Sequence, residues 1–352
     1  SRGIPSLITC HNIFTAFETP RALHERGMEV GPYMEHLYFE RHPDTFLSKE
    51  LHYRRNRVDF LTSGLFAASR INTVSPTFLR EIAEDSFSDY DLIPDPVRRV
   101  IADRFQEGAA SGILNAPMPT ADPRVDPLIH RKYEVRHMVR GKQLNKLRFQ
   151  DQLQLRSDPK APLFFWPHRL VSPQKGVELM LAAIPFIITE SPTAQFAIVA
   201  NGQLDHVYAC QRLMNAFPGR VSYHSFSREL SQLGKAGADF ILSPSLYEPC
   251  GIPQVEGPRY GTLPIVRKTG GLADTVEPLT ESKGNGFVFR EYQVAGLVKG
   301  IREALDFYSK PLRPRAKILR RVMVDSAQRF TIARTVDQYI DLYEEILGQR
   351  VT

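Results

Sequence analysis

The stretch DFILSPSLYEPCGIPQVEGPRYGTLPIVRKTGGLADTV, residues 239–276, decides the fold class of this chain. Phe240–Ser243 and Leu263–Arg267 are short apolar runs flanked by Pro, Gly and Ser, and each predicts a buried strand. Residues 252–260, between them, are predicted to form a helix. Two strands joined through a helix are parallel neighbours, because parallel pairing needs a crossover connection.

The same alternation extends upstream of this stretch. Predicted strands lie at 163–166, 196–200 and 220–223, and predicted helices at 176–189, 206–217 and 230–236. This alternation specifies a parallel sheet covered by helices on both faces. In such folds ligands bind beyond the carboxyl ends of the strands.

The N-terminal part has a less regular pattern. Strands are predicted at 6–10 and 70–74, and helices at 59–68 and from Pro76 onward, where Ser75 provides a helix start. Residues 107–130 are rich in Gly, Pro and Asp and predict a hinge, followed by a helix at 139–153.

The bulk composition is that of an ordinary globular protein. The chain has 352 residues, 42% hydrophobic and 24% charged, a length that suits two α/β domains. Its longest apolar run, residues 179–188, is interrupted by Pro185 and is too short to span a bilayer. The first residues also lack a signal-peptide pattern. We therefore expect no membrane association and a cytoplasmic location.

Cysteine spacing and charge exclude other classes of protein. Cys10, Cys210 and Cys250 have no paired spacing, which argues against a disulfide framework or a metal site and favours a reducing compartment. The net charge is +6, but the basic residues are scattered. Solvated helix faces and a few phosphate-binding residues explain this excess better than nucleic acid, for which no motif is present.

Polar segments follow four of the predicted strands: RLVSPQKG at 169–176, NGQ at 201–203, PSLYEPCG at 244–251 and TGGLADT at 269–275. Arg169 and Lys175 can place two cations beside a diphosphate. Glu248 can accept hydrogen bonds from sugar hydroxyls. Each feature alone is better explained by an ordinary surface residue. Their shared position at one edge of the sheet indicates a site.

Glycines in the same segments allow the backbone to approach a ligand closely. Gly251 and the Gly270–Gly271 pair have no Cβ, so their amides can lie near phosphate or sugar oxygens. A Gly-Gly pair by itself indicates only a turn.

These segments also resemble a known family. Residues 239–276 are similar, nearly residue for residue, to the signature stretch of the glycogen and starch synthases, and RLVSPQKG resembles their phosphate loop. Further similar segments, in the same order, are CHN at 10–12, TVSPTFLREI at 73–82, GILN at 112–115, NKLRFQ at 145–150 and NGFVF at 285–289.

The resemblance implies a GT-B fold, in which two Rossmann-like domains face each other across a cleft. Residues 1–113 would form an incomplete acceptor-side domain, 114–330 the nucleotide-sugar-binding domain, and 331–352 a helix packing back on the N-terminal domain. The implied reaction is transfer of glucose, with retention, from ADP-glucose to the non-reducing end of an α-1,4-glucan. The implied ligands are ADP-glucose or ADP and the glucan acceptor, with no cofactor.

The resemblance also implies roles for residues at matching positions. Arg169 and Lys175 would bind the distal part of the diphosphate, Glu248 would lie near the glucose 3- and 4-hydroxyls, and His11 would face the transferred glucose. The remaining matches would line the nucleotide-sugar site: Tyr223 stacking on the base, Cys250 and Gly251 over the glucose, Gly270, Gly271 and Leu272 presenting amides, and Thr275 near the diphosphate.

Two of these positions have another explanation, and one further residue, Glu256, is proposed from its spacing. Tyr223 is explained equally well as a core residue. Cys250 is better explained by packing than as a nucleophile, because no neighbouring motif would activate it. Glu256 follows Glu248 in an E-x7-E spacing that is common in related transferases, where the second Glu contacts the nucleotide ribose.

The chain departs from the family pattern in several places. The K-x-G-G-L block of the family is absent from the sequence given, GILNAPM stands where GILNGID is usual, Thr62 replaces a Lys, and Ala200 replaces a Gly. We therefore expect this chain to bind ADP but to transfer glucose poorly or not at all.

Two other functions remain open at this point. One is a non-catalytic nucleotide- or glucan-binding fragment, which would bind ADP and transfer nothing. The other is a related transferase using UDP-glucose, similar to sucrose-phosphate synthase. The sequence gives no indication of the oligomeric state.

Overall fold

The computed structural model describes residues 4–350 and divides the chain into two compact units. One comprises the chain up to Ile113 together with the residues from Gln338 onward, and the other comprises Leu114–Asp337. The chain returns to the first unit between Asp337 and Gln338, inside the C-terminal helix, whereas the sequence predicted this boundary at 330/331. Each unit contains its own parallel sheet, which confirms the predicted α/β class.

The first unit is built on a short parallel sheet. Its elements are β1 (Leu7–Cys10), β2 (Phe17–Glu18), α1 (Pro20–Glu25), α2 (Lys49–Arg55), β3 (Val58–Asp59), α3 (Phe60–Ala67), β4 (Arg70–Thr73), α4 (Pro76–Ala83), α5 (Asp95–Gln106) and β5 (Ala110–Gly112), with 3-10 turns at Gly31–His36, Pro43–Thr45 and Ser88–Tyr90. The sheet order is β1-β4-β5, and β2 and β3 form a separate antiparallel pair.

Local sequence explains where these helices begin. Ser75 caps α4, because its Oγ accepts a hydrogen bond from the Phe78 amide at 2.9 Å, and Pro76 fits the first helical turn. Strand β5 occupies part of the predicted hinge, residues 107–130, and the boundary between the two units falls within the same range. The residues of β5, Ala-Ser-Gly, are too small and polar to give a strand pattern, and pairing with β4 forms the strand.

The second unit contains the larger sheet. Its elements are α6 (Met138–Gln152), β6 (Leu163–Trp166), α7 (Val177–Glu190), β7 (Gln195–Val199), α8 (Leu204–Ala216), β8 (Val221–His224), α9 (Arg228–Gly237), β9 (Phe240–Ser243), α10 (Pro253–Glu256), β10 (Leu263–Arg267), α11 (Gly270–Thr275), β11 (Phe287–Phe289), α12 (Val294–Ser309) and α13 (Leu312–Arg329), with 3-10 turns at Val135–His137 and Gly257–Tyr260. The last helix, α14 (Ile332–Leu347), begins in this unit and ends in the first.

The strand order of this sheet is β11-β10-β9-β6-β7-β8, and all pairs are parallel. Counted from β6, this is the doubly wound order of the dinucleotide-binding fold. The order reverses between β6 and β9, which are adjacent in the sheet but distant in sequence. Such a reversal opens a crevice beyond the carboxyl ends of the two strands, where ligands bind in folds of this kind.

Alternate residues of the central strands are buried on opposite faces of the sheet. Phe164, Phe196 and Phe240 belong to the core on one face, and Phe164 lies between the other two rings at centroid distances of 5.0 and 5.1 Å. Phe165 and Ile241 belong to the core on the other face, beneath α6 and α9. Burial on both faces explains why these strands are continuously apolar in sequence.

One predicted helix is wrong in extent, and several elements escaped prediction. Residues 252–260 form only the short α10 followed by a 3-10 turn, because Gly257 and Pro258 interrupt the helix. Strand β11 and helices α12 and α13 were not predicted. None of the helices in the described part of the chain combines the length and hydrophobicity needed to cross a membrane.

Candidate functional site

The predicted site residues of the second unit lie where the sheet order reverses. Arg169 and Lys175 follow β6, and Glu248 follows β9, the neighbouring strand. Gly270, Gly271, Leu272 and Thr275 form α11 immediately beyond the carboxyl end of β10. The fold therefore brings three loops, which lie between residues 169 and 275 of the sequence, to one edge of the sheet.

A buried ion pair links two of these loops. Lys175 Nζ lies 2.6 Å from Glu248 Oε2, and the Ser245 hydroxyl donates to the same oxygen at 3.0 Å. Burial by itself raises the pKa of Glu248, but the Lys175 charge and these hydrogen bonds outweigh burial and hold the pKa below its usual value. Glu248 is therefore a carboxylate at neutral pH.

His168 is a member of this cluster that the sequence did not single out. Its Nε2 lies 2.8 Å from the Ser243 Oγ, and the ring is buried. Burial, reinforced by repulsion from Lys175, lowers the pKa of His168 to about 3, so the imidazole is neutral. The signal that could have identified it is a polar residue two positions after the buried strand β6 and one position before Arg169.

Arg169 differs from Lys175 in its surroundings. Its side chain is exposed, and it forms no ion pair with any residue between 4 and 350. Burial raises the pKa of the neighbouring Tyr247 to about 12, an effect that the Arg169 charge opposes. The site thus contains one cation neutralised by Glu248 and one cation available to an anionic ligand.

Close backbone contacts join the Glu248 loop to α11. The Gly271 amide donates to the Glu248 carbonyl at 2.9 Å, and a Cβ at Gly271 would lie 2.1 Å from the Cys250 carbonyl oxygen. Gly251 has φ +75, a left-handed conformation that favours glycine. These positions require glycine for a structural reason, independently of any ligand.

Gln254 fixes the same turn and was missed from the sequence. Its Nε2 donates to Cys250 O at 2.9 Å, to Gly251 O at 3.0 Å and to Thr275 Oγ1 at 3.2 Å. The Leu272 amide donates to Thr269 O at 3.0 Å. The amides of Gly271 and Leu272 are therefore used within the protein, and their contact with sugar or phosphate stays a prediction.

Cys250 is buried, and burial raises the pKa of its thiol to about 12. A thiol with so high a pKa remains protonated at neutral pH and is a poor nucleophile. Its surroundings agree with the packing role that the sequence favoured.

Glu256 is buried against Lys235. Lys235 Nζ forms an ion pair with Glu256 Oε2 and also donates to Gln232 Oε1. Lys235 was not recognised from the sequence, because it lies on α9, twenty-one residues before Glu256. The predicted contact of Glu256 with a ribose stays a prediction, and it would share the carboxylate with Lys235.

Tyr223 lies on β8, at the edge of the sheet. Its ring is half-buried against the core, and its hydroxyl donates to Ala200 O at 3.2 Å. Both of the roles considered for this ring, stacking on a base and packing in the core, are compatible with a half-buried position.

His11 belongs to the first unit, where it is exposed immediately after the carboxyl end of β1. Its predicted position opposite the transferred glucose stays a prediction. Within the described residues, no group of His, Cys, Asp or Glu side chains is arranged to hold a metal ion.

Comparison with known proteins decides the family. Residues 1–93 match the model described as starch synthase catalytic domain, and residues 148–319 match that of glycosyl transferases group 1. A glycogen synthase of Edwardsiella ictaluri is 34% identical, with 99% of this chain and 69% of that protein covered. The chain belongs to the glycogen synthase family.

Other relatives agree with this assignment. Glycogen synthase 2 of Nitrosococcus oceani is 34% identical, covering 84% of this chain and 58% of its own length. This glycogen synthase-like chain thus spans between about half and two thirds of the length of its relatives. A solved structure, the catalytic domain of Starch Synthase IV from Arabidopsis thaliana bound to ADP and acarbose, aligns with a TM-score of 0.77 and 25% identity over 97% of this chain and 67% of its own. The GT-B class is therefore confirmed, and the chain is a glycogen/starch synthase-like glucosyltransferase.

Proposed function

We propose that this glycosyltransferase binds ADP-glucose beyond β6 and β9 and transfers the glucosyl unit, with retention, to an α-1,4-glucan. The observation that carries the proposal is the exposed Arg169, which forms no ion pair within the described residues, beside the buried Lys175–Glu248 pair at the point where the sheet order reverses. The relative from Arabidopsis, solved with ADP and acarbose, supports a nucleotide and a glucan as the ligands.

In this proposal the two cations have different tasks. Arg169 offers a guanidinium fork to the diphosphate, where bidentate pairing is favourable. Lys175 pairs with Glu248 and keeps its carboxyl group ionised. The hydrogen bonds that the Glu248 carboxylate accepts from Lys175 and Ser245, within residues 4–350, both end on Oε2, so Oε1 can accept from a hydroxyl of the donor glucose.

The reaction follows from this charge distribution. As the bond between glucose C1 and the phosphate oxygen breaks, the electron pair stays on the diphosphate, whose growing charge Arg169 stabilises. The acceptor hydroxyl forms the new bond at C1 from the same face, and its proton passes to the departing phosphate oxygen. No protein nucleophile is needed, in agreement with the protonated Cys250 thiol.

Calorimetry with ADP and UDP tests the nucleotide assignment. We expect ADP to bind more tightly than UDP, and Arg169→Gln to weaken ADP binding about 10- to 100-fold, the loss of a charged hydrogen-bonding partner. Arg212→Gln, which removes an exposed cation on α8, is the matched control. Tighter binding of UDP, or equal effects of the two substitutions, would overturn the assignment.

Transfer is tested separately with labelled ADP-glucose and glycogen. Because the sequence departs from the family pattern, we expect little label to enter the glycogen, and we expect that label to lie in linkages that an α-specific glucosidase releases. Binding of ADP without incorporation would leave a nucleotide-binding protein and remove the transferase proposal.

A further inference from the structure

A second cavity lies at the opposite edge of the large sheet. It has a volume of about 560 Å³, and its lining includes Lys160, Asp239 and Gly261, which precede β6, β9 and β10 respectively. The proposed donor site follows the carboxyl ends of the same strands. Since these strands have four or five residues, roughly 13–17 Å separates the two edges. The cavity is therefore distinct from the donor site, and its size is typical of small-molecule sites.

Positive charge predominates in this cavity. Its ionisable lining residues are four basic ones and one acidic one: Lys142, Lys146, Lys160, Arg315 and Asp239. Burial lowers the pKa of Lys142 to about 7, so this lysine is only partly charged at neutral pH. The single carboxylate is already used, because Lys146 Nζ lies 2.6 Å from Asp239 Oδ2. The remaining basic groups have no acidic partner in the lining.

Lys142 has no capacity left for a ligand. It is buried, and its Nζ donates to Thr262 Oγ1 at 2.6 Å, Ala238 O at 2.8 Å and Ala236 O at 3.3 Å. An ammonium group has three donors, and all three are used. Lys142 therefore holds the start of β10 against the end of α9.

Arg315 and Lys160 are the cations that remain. Neither forms an ion pair with a carboxylate in the described part of the chain. Arg315 is half-buried, donates to the Tyr308 carbonyl, and stacks on the Tyr308 ring with its guanidinium carbon 4.1 Å from the centroid. A guanidinium has five donors, so most of its hydrogen-bonding capacity is unused. A half-buried cation without a counter-charge is stabilised by an anion.

The other walls are mainly apolar. They include Met138 and Val139 of α6, Phe307 of α12, and Leu312 and Leu319 of α13. Leu312 is 53% exposed and lies beside Arg315 on the first turn of its helix. Apolar walls with a few polar groups are typical of a pocket that binds an organic molecule.

We propose that this cavity is a second ligand site, which takes a small organic anion with one acidic head group and a flat apolar body. The head group pairs with Arg315 and Lys160, and the body lies along the walls contributed by α6 and α13. The proposal concerns residues outside the donor site and does not depend on the transfer reaction.

The probe is 8-anilinonaphthalene-1-sulfonate, which carries a sulfonate on a flat aromatic body and fluoresces when it leaves water. It is titrated into the full chain with and without saturating ADP. We expect one saturable site with the same affinity in both titrations. Arg315→Gln should weaken binding about tenfold through the lost charged hydrogen bonds.

Two further variants make this test independent of folding. Leu312→Glu places a carboxylate beside Arg315. This variant should fold, because an acidic residue is favourable in the first turn of a helix. Its affinity for the dye should be about tenfold lower. Arg313→Gln removes an exposed cation from the same helix but outside the cavity, and should leave the affinity unchanged.

Three results would overturn the proposal. They are equal dye affinity in Arg315→Gln, Leu312→Glu and the unchanged chain, binding that does not saturate, and displacement of the dye by ADP. Displacement by sodium sulfate as effective as that by benzenesulfonate would reject the organic class of ligand. If ADP does not bind, the proposed donor site is contradicted. The dye titration without ADP still tests the second cavity in that case.

Discussion

Lys175 Nζ and Glu248 Oε2 are 2.6 Å apart, and this bond joins the two loops at which the strand order of the large sheet reverses. Both side chains are buried, so the pair has lost most of its hydration. Removing one partner leaves an uncompensated buried charge, whereas removing both does not. The difference in the free energy of unfolding between the single and the double substitution measures how much the ion pair stabilises the two loops.

The first prediction follows from this difference. Lys175→Met should lower the free energy of unfolding by about 3–5 kcal/mol, because Glu248 would stay buried without its partner. The double variant Lys175→Met with Glu248→Gln should lose much less. Urea unfolding followed by the fluorescence of Trp166, the single tryptophan, reports on the second unit alone.

Lys268→Met serves as the control for this measurement, because Lys268 is exposed in the same unit. It should change the free energy of unfolding by less than about 0.5 kcal/mol. Equal losses in the single and double variants would show that Lys175 contributes through packing and not through its charge.

The second prediction concerns pH. The pKa of His168 is lowered to about 3 by burial and by repulsion from Lys175, so between pH 3 and 6.5 the unfolded chain binds a proton that the folded chain does not. Stability must therefore fall as the pH is lowered through this window. From pH 6.5 to 5 the loss due to His168 should be about 2 kcal/mol.

His168→Gln isolates this contribution. It keeps a side chain able to bond Ser243 but cannot be protonated, so its free energy of unfolding should depend less steeply on pH between 5 and 6.5. The exposed His137→Gln should retain the slope of the unchanged chain. A slope that His168→Gln leaves unaltered would mean that the buried imidazole does not govern this dependence.

The sequence predicted the central strands well and the pairing of charged residues poorly. The strands at Phe164 and Phe240 are identifiable because they are buried on both faces and so consist of continuous apolar residues. Strands β5 and β11 have three residues each, and the sheet order that places β6 next to β9 is not encoded in any local pattern.

For the same reason, the sequence located the candidate site but not its internal contacts. Arg169, Lys175 and Glu248 stand out by following strands in recognisable motifs. The partners that fix the surrounding groups come from other elements, such as Lys235 for Glu256 and Gln254 for Thr275. Such contacts depend on tertiary packing, which neither spacing nor composition reveals.

The third prediction concerns the α11 turn. Gly271→Ala would place a Cβ 2.1 Å from the Cys250 carbonyl oxygen, a backbone atom that cannot move without displacing the Glu248 loop. We expect a loss of about 1–3 kcal/mol in the free energy of unfolding and weaker ADP binding. Gly31→Ala, where no atom lies within 4 Å of the added Cβ, is the matched control. If Gly271→Ala has the same free energy of unfolding and the same ADP affinity as Gly31→Ala, the turn does not belong to the site.

The last prediction decides between the two roles considered for Tyr223. Tyr223→Phe removes the hydroxyl that donates to Ala200 O but keeps the ring, whereas Tyr223→Leu removes the ring and keeps an apolar side chain for the core. If the ring stacks on the nucleobase, Tyr223→Leu should weaken ADP binding about tenfold or more, because stacking contributes roughly 1–3 kcal/mol per base, and Tyr223→Phe should bind ADP normally. Calorimetry at a temperature where both variants are folded gives the comparison, and inorganic pyrophosphate, which has no base, should bind all three proteins equally. Normal ADP binding by Tyr223→Leu would assign Tyr223 to the core, and equal weakening of ADP and pyrophosphate would indicate that the substitution disturbs the phosphate loops instead of a stacked base.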